Sequence, residues 1–575
     1  MILHPALIML GAGIIIPFVP QILRKMMLII VPIIVLFSSY QLQYGQQESI
    51  NFINNIELIY LKVDELSWVF IFILAIVSLT ANIFAFNITN RIEVSAQFLY
   101  VASSMGVVLA GDWLTLLFFW ELMAVSSTFL IWAKNGEESK KAGFRYFLVH
   151  FFGGNLLLAG IFMKMSQGIY LVDSLSGNMD MGSIFILLGV AINAAIYPLH
   201  AWLPDAYPKS TITGSVFMSC LTTKVAVYCL IRVFPGLPIL LWGGVTMAMV
   251  GVIYAMLAND LRVILSFHII SQVGYMVAAV GLGSELALNG AAAHAFAHIL
   301  YKSLLFMGAG TILYATGFSK LSDLGGLFKK IPWVVVLYFI GSLAISGFPF
   351  LNGFTSKSVI LSAASIEGYP VVELLLYLAS VGTLMSTCLK VTFFAFIGQP
   401  KKEYVLKKVP ANMYIAMTIT ASLCFIFGIF PDLLYNRLPF EINFIPYTFD
   451  HIVSTVQLLL ATTLAFLFFT DVMKPKEAFL IDTDWFYRVP LVALTSKTSD
   501  AVIFMQGKIG ESWKNGVVST FKFFDNPFRK FNFFDSDREA PEKYDADHYR
   551  VSVSSAITIV LLLFVVSYIY IKIRL

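Results

Sequence analysis

The sequence predicts an all-α polytopic membrane protein, on three observations. Hydrophobic residues fill 58% of the 575 positions and charged residues only 13%. Mean hydropathy is +0.82. Apolar runs long enough to cross a bilayer, roughly twenty residues each, recur from one end almost to the other.

The runs centre near residues 12, 33, 77, 103, 123, 153, 193, 224, 249, 272, 302, 340, 385, 422, 462 and 563, which gives about sixteen spans. The first, from Leu3 to Pro20, has neither the basic start nor the small-residue cleavage site of a signal peptide and reads as a span. Connections carrying Arg24 and Lys25, Arg91, Lys134 with Lys140 and Lys141, Lys209, Arg262, Lys320 with Lys329 and Lys330, and KKEYVLKK at 401–408 are alternate ones. The others hold few bases, chiefly Lys62, Lys164 and Arg437, and more acids, as at Asp112, Asp173, Asp180 and Glu285. Positive residues stay inside, so the basic set is expected to be cytoplasmic and the N-terminus outside. Residues 473–550 hold no full-length span and mix aromatics with Lys and Arg, which suits either chain lying along the cytoplasmic membrane face or a solvated linker with one short helix. A last run, VSSAITIVLLLFVVSYIYI, crosses once more.

The formal net charge of +4 comes with no Lys/Arg cluster interleaved with aromatics on a polar domain, so no nucleic-acid partner is expected. Cys220, Cys229, Cys388 and Cys424 all lie in apolar runs without CxxC or CxxH spacing and read as packing residues. No haem, iron-sulfur or zinc motif, nucleophile triad or nucleotide loop is present, so neither a cofactor nor a self-contained enzyme is expected.

Ionisable residues inside the spans carry the functional signal, because a charge at mid-membrane costs about 2.5–3.5 kcal/mol on insertion scales and is kept for a reason. Glu121, in GDWLTLLFFWELMAVSSTFLIW, has long apolar flanks, and a carboxylate there can take up or release a proton. Lys224, in GSVFMSCLTTKVAVYCLIRVF, and Lys390, in LLYLASVGTLMSTCLKVTFFAFIG, are ammonium groups in the same setting; lysine can give up its proton, whereas arginine holds it. His294, His298 and Lys302, spaced i, i+4, i+8 in AHAFAHILYKSLLFMGAG, line one helix face. His268, with Ser266, Ser271 and Gln272, adds a hydratable stretch to the preceding span.

Two segments break the apolar pattern. NAAIYPLHAWLPDAY, 193–207, contains Pro198, His200, Pro204 and Asp205, and its prolines remove backbone donors; a broken helix is expected there, with polar groups met by protein or water along an ion path. GFPFLNGFTSKS, 347–358, with Pro349, Gly353 and Lys357, is the second interruption. Two broken elements, each accompanied by buried Glu, Lys or His, suggest two related halves.

Through WELMAVSS, NAAIYPLHAWLPDAY, TTKVAVYCLIR, NDLRVILSFHIISQVGYM, HAFAHILYKSLLFMGAG, GFPFLNGFTSKS and the Lys390 region, in that order over roughly residues 60–400, the chain resembles the D-type subunit of multisubunit (Mrp-type) cation/proton antiporters and the antiporter-like, proton-pumping membrane subunits of respiratory complex I. The resemblance implies a core of fourteen spans with two inverted repeats, each with a broken helix, and a proton-carrying polar axis. It puts the functional glutamate on Glu121, the lysine after the first broken helix on Lys224, the histidine-lysine bridge on His294, His298 and Lys302, and the terminal lysine on Lys390. Beside these, Asn193, His200, His268 and Lys357 read as a secondary path. Where that family carries a lysine ahead of the Pro-Leu-His motif this chain has Asn193, which cannot titrate, so Lys224 is the charge expected to couple to Glu121. The implied organisation is N-terminal helices over 1–92, a first antiporter-like half over 93–236, a second over 237–400, C-terminal core helices over 401–472, a cytoplasmic membrane-surface segment over 473–550 and a final span over 551–575.

The function expected is proton translocation within a multisubunit monovalent cation/proton antiporter, with sodium as the expected cation, other membrane subunits as partners and the bacterial cytoplasmic membrane as location. Two alternatives stand beside it: a proton-pumping subunit of a complex I-like or hydrogenase-linked respiratory complex, and a membrane scaffold for an inorganic-carbon hydrating partner, which would tolerate neutral replacement of Glu121 and the buried lysines.

Overall fold

The computed structural model describes residues 4–53, 56–177, 179–399, 402–403, 405–476, 482–525 and 553–574, in two compact units, Met1–Asp484 and Trp485–Leu575. The first unit begins with α1 (Pro5–Ile15) and α2 (Gln21–Tyr40), followed by a feature the all-α expectation lacked, an antiparallel hairpin of β1 (Gln47–Ile53) and β2 (Ile56–Lys62). Its sequence cue is a period of two: Ile59 and Leu61 are buried, while Tyr60 and Lys62 between and after them are less so. The helices α3 (Glu65–Phe84), α4 (Arg91–Leu109), α5 (Trp113–Trp132), α6 (Glu137–Ser166) and α7 (Met181–Asn193) come next. After the short α8 (Trp202–Ala206), α9 (Ile212–Cys220) and α10 (Thr222–Val233) form one span interrupted at Leu221. Then follow α11 (Pro238–Leu257), α12 (Leu261–Leu282), α13 (Glu285–Thr316), the single turn α14 (Leu327–Lys330), α15 (Pro332–Ser346) and α16 (Asn352–Ile366). The helix α17 (Pro370–Thr383) continues as wider π-helical turns over Leu384–Lys390 and Thr392–Ile397, and α18 (Ala411–Ile429), α19 (Asp432–Tyr435) and α20 (Phe449–Phe468) complete the core. Beyond the short turn α21 (Asp484–Phe486), the second unit contains α22 (Val492–Asp525) and α23 (Val553–Arg574).

Among the described residues twelve helices are long and apolar enough to cross a membrane, with four shorter apolar ones beside them, and every run centre read from the sequence falls inside one of these sixteen. The chain is a multi-pass membrane protein. The surface segment expected over 473–550 contains one helix of 34 residues, far longer than a linker's single short helix, and it exposes Ile503, Phe504, Trp513 and Phe521. The end of that segment, residues 526–550, lies outside the described residues.

Several acids of the loops are helix N-caps. The side chains of Asp112, Asp180 and Asp260 accept hydrogen bonds from N–H groups in the first turns of α5, α7 and α12, satisfying donors that have no intrahelical partner. Asp64 forms a capping box with Ser67 at the start of α3 and pairs with Arg232 at 2.7 Å.

The loops sort to two ends of the bundle. Arg91 donates to Pro17 O, Lys25 lies over the Phe86 ring, and a cavity of about 670 Å³ is lined from Asn87, Lys134, Ser210, Arg262 and Tyr314, so the basic connections share one end. At the other, His4 bonds Tyr60 O, Lys62 pairs with Asp173, and Arg437 donates to Tyr44. The start of α1 therefore lies at the same end as the acid-bearing connections.

The 32-residue α13 runs through the centre, packed against α3, α9, α10, α12, α15, α16 and α18. Its NGAAAHAFAH stretch is rich in Gly and Ala, which lets neighbouring backbones approach where lipid supplies no hydrophobic drive. The α11–α12 pair is closer still: a Cβ on Gly244 would meet the Ala278 backbone and one on Gly274 the Gly244 carbonyl.

Candidate functional site

The first interruption falls where the prolines suggested, between α7 and α8. The chain leaves helix at Asn193, takes a left-handed turn at Ala195 (φ 56°) and a cis bond at Tyr197–Pro198, and runs as a connection through α8 to α9. Proline ends a helix when the following residues find other partners, and here Trp202 Nε1 donates to Ile192 O at 3.0 Å. A further break lies at Leu221, between α9 and α10, three residues before Lys224.

That break holds Lys224. Its fully buried ammonium donates to Ser219 O, at the C-terminal end of α9, and to Thr223 Oγ1 at 3.1 Å. The second interruption repeats the device. At the end of α15 the chain turns through Gly347 (φ 80°) and Phe350 (φ 70°), and Lys357 on α16 donates back to Ile345 O at 2.7 Å and to Ser380 Oγ at 3.3 Å, above the Tyr275 ring. Lys390, within the π-helical turns, donates to Met256 O and Ala258 O at the end of α11, at 2.6 and 2.8 Å. A helix C-terminus presents carbonyls without intrahelical partners and a partial negative charge, so it solvates an ammonium group without a carboxylate. Lys302 donates to Leu265 O, 2.9 Å away on α12. Among the described residues no carboxylate lies within ion-pair distance of any of these four lysines.

The second half links its titratable groups through hydroxyls. Ser356 meets His294 Nδ1 at 2.9 Å; His294 Nε2 meets the Tyr301 hydroxyl at 3.3 Å; and Tyr301 approaches Gln272 Oε1 at 3.5 Å, which in turn approaches Thr383. His268 Nε2 bonds Ser386 Oγ at 2.6 Å, one turn beyond Thr383. Tyr275 joins Ser380, the hydroxyl that also receives Lys357. His298 is buried beside them with neither ring nitrogen hydrogen-bonded among the described residues.

The first half is sparser. Glu121 is half-buried on α5 and lies against Gly154 of α6, where a Cβ would collide with its carboxylate. It has no hydrogen-bond or ion-pair partner among the described residues, and Lys224 is held on Ser219 and Thr223. Asn193 is fully buried with both side-chain polar atoms unpaired among the described residues. Ser127 bonds Tyr146 at 2.9 Å, and Tyr100 bonds Thr222 at 2.6 Å.

Three features escaped the sequence reading. Glu93, buried in the first turn of α4, accepts from Thr211 and Thr213 at 2.6 and 2.5 Å in the wall of the basic-end cavity, where Arg262 donates to the carbonyls of Tyr207, Ser210 and Thr211. At a helix start it reads as an ordinary first-turn acid. His200 is fully buried and its Nε2 lies 3.2 Å from Asp482 Oδ1, a charge contact off the hydrogen-bond direction, while Thr483 donates to Pro198 O at 3.0 Å. Burial opposes ionisation of Asp482, but the imidazole and the Thr483 N–H outweigh it and hold the carboxyl below its usual range. A contact across 282 positions leaves no local pattern to find. The third, His150 in FRYFLVHFFGGN, lies in an apolar run and meets the criterion that selects Glu121.

A family model described as "NADH:quinone oxidoreductase/Mrp antiporter, TM" matches residues 110–386. An uncharacterised protein of Methanocaldococcus jannaschii is 30% identical over 374 residues, 61% of this chain and 77% of that protein. The D-type subunit of the Na(+)/H(+) antiporter of Alkalihalophilus pseudofirmus is 31% identical over 324 residues, 53% of this chain and 65% of that protein. Among solved structures, a chain of the membrane-bound sulfane sulfur reductase, an archaeal respiratory membrane complex, shares the fold with a TM-score of 0.69 at 22% identity, over 98% of this chain and 99% of that one.

Proposed function

This chain belongs to the NADH:quinone oxidoreductase/Mrp antiporter transmembrane family, and we propose that it is the proton-translocating subunit of a multisubunit monovalent cation/proton antiporter in a prokaryotic cytoplasmic membrane, with its N-terminus outside. The observation that carries this reading is the set of buried lysines held on helix-end carbonyls at or beside interrupted helices. An ammonium held by carbonyl dipoles stays protonated only while the helix end stays in place. A small displacement of α9, α15 or the end of α11 removes the stabilising oxygens and lets the proton pass to a neighbouring hydroxyl or imidazole. Lysine serves this role and arginine does not. Glu121 is the acid that exchanges protons with the first half, and the His294–Tyr301–Gln272–Thr383 contacts carry them across the second. The reading as an antiporter rather than a scaffold is supported by the Na(+)/H(+) antiporter relative and by side chains that a scaffold has no use for at mid-membrane.

The test is cation-driven proton flux in liposomes containing the complex assembled with its partner subunits. Glu121→Gln keeps the shape and removes the proton site, so abundance stays at the wild-type level and flux falls by about a hundredfold, the usual worth of a positioned proton-transfer group; Glu121→Asp retains part of it. Wild-type flux in the Gln variant at normal abundance fits the scaffold instead.

A further inference from the structure

We propose that His150, on α6, is a proton carrier of the first half and exchanges its proton with Glu121; this deepens the transport reading above and rests on it. The imidazole is buried. Its Nδ1 lies 2.9 Å from Tyr146 O. A carbonyl only accepts, so Nδ1 carries the hydrogen and Nε2 is the ring's basic nitrogen. Nε2 is buried with no hydrogen-bond partner among the described residues. A packing histidine would normally close both nitrogens; this one is left as an open base.

Its surroundings fix what it can reach. One turn along α6 is Gly154, the residue whose missing Cβ makes room for the Glu121 carboxylate, so acid and imidazole flank the same stretch of α6. One turn the other way is Tyr146, stacked on the ring with centroids 4.0 Å apart, its hydroxyl on Ser127 of α5. Against the ring's edge, at 4.4 Å, lies Trp202, which holds the Ile192 carbonyl beside Asn193. Tyr146 from its own helix and Trp202 from α8 thus pack on His150, and Glu121 from α5 lies against the next turn of α6, with the untitratable Asn193 beyond. Among the described residues no lysine or arginine pairs with His150 or Glu121.

The step is a simple transfer. The Glu121 O–H bond breaks, directly or through one water, as an Nε2–H bond forms, leaving carboxylate and imidazolium; Nδ1 keeps its hydrogen on Tyr146 O throughout. The reverse transfer restores the pair. Asn193 at the end of α7 cannot take this part, and Lys224 is engaged on Ser219 and Thr223. The imidazole supplies the titratable partner that Glu121 otherwise lacks.

The experiment is proton flux per assembled complex in liposomes for wild type, His150→Gln and His150→Phe. Phenylalanine keeps a ring against Tyr146 and Trp202 but cannot bind a proton; glutamine keeps a polar end without titrating. The carrier role requires both variants to lose flux by at least about tenfold. Flux within twofold of wild type in the Phe variant would overturn it and make His150 a packing residue, as would wild-type flux in the Gln variant. Wild-type complex without cation-driven proton flux would instead sink the transport reading itself.

Discussion

In the second half His294, His268 and Lys357 each meet a hydroxyl, and contacts through Tyr301 and Gln272 extend the set to Thr383, whereas in the first half Glu121 has no partner among the described residues and Asn193 ends α7 with its amide unpaired. Both halves solve the burial of an ammonium the same way, on helix-end carbonyls: Lys224 on α9 and Lys357 on α15. What differs is the other member of the proton exchange. The second half has imidazoles and hydroxyls spread over α12, α13, α16 and α17, so a proton can move by several short steps. The first half has one mid-span acid and depends on the few groups that reach it.

The largest effects should come from the shared device. Lys224→Ala and Lys357→Ala remove a proton site and leave carbonyls uncovered at a helix end. Flux per assembled complex should fall by about a hundredfold in each, measured in liposomes. Lys→Arg separates charge from titration: arginine satisfies the carbonyls but keeps its proton, so assembly survives and flux does not. If Lys357→Arg conducts normally, Lys357 is a structural cap and the likeness between the halves ends there.

Glycines sharpen the contrast. In the first half a Cβ on Gly154 would overlap the Glu121 carboxylate, which can rotate away; in the second a Cβ on Gly353 would overlap the Ala344 carbonyl, which is backbone and cannot. Gly353→Ala should therefore cut the abundance of assembled complex, at a cost of about 1–3 kcal/mol typical of overpacking. Gly154→Ala should leave abundance near wild type and reduce flux by displacing Glu121. Equal abundance of the two variants would show that the backbone at the second break yields as readily as the Glu121 side chain.

The same contrast explains how much could be read from the sequence. Apolar runs and alternating basic loops are local signals, and they placed sixteen helices and sorted their ends. Mid-span Glu121, Lys224 and Lys390 stand out because charge is rare there, and Lys302, His294 and His298 because they share a face. What the sequence did not show is pairing. Proline at 198 marked a disruption but not whether the helix kinks or stops, and the break beside Lys224 falls at Leu221, a residue with no breaking character. Lys357, in the GFPFLNGFTSKS interruption, reads only as part of a secondary path, although its ammonium is as buried as that of Lys390. The hydroxyls of Tyr301, Thr383 and Ser386 are ordinary helix residues until the fold brings them to an imidazole.

The smallest expected effect lies at the edge of the first half, where Asp482 comes back to His200. Its carboxyl is held below the ordinary range, so its contribution to stability is fully present above the unfolded carboxylate value, near pH 4, and fades only as pH falls through the lower folded value. Across pH 5 to 8 the acid stays ionised. Asp482→Asn removes the charge and keeps the shape. His200 then loses its charged neighbour, and the thermal midpoint of the assembled complex should fall by a few degrees at most, about 1 kcal/mol for a contact that is not an aligned hydrogen bond. The loss should be full across that range and shrink as pH falls through the carboxyl's folded value, where the wild-type acid becomes as neutral as the asparagine. A loss that persists undiminished in acid would mean that Asp482 holds the connection by its shape and by Thr483 and Pro198 alone, and that the first half has no charge contact here to set against the hydroxyl contacts of the second.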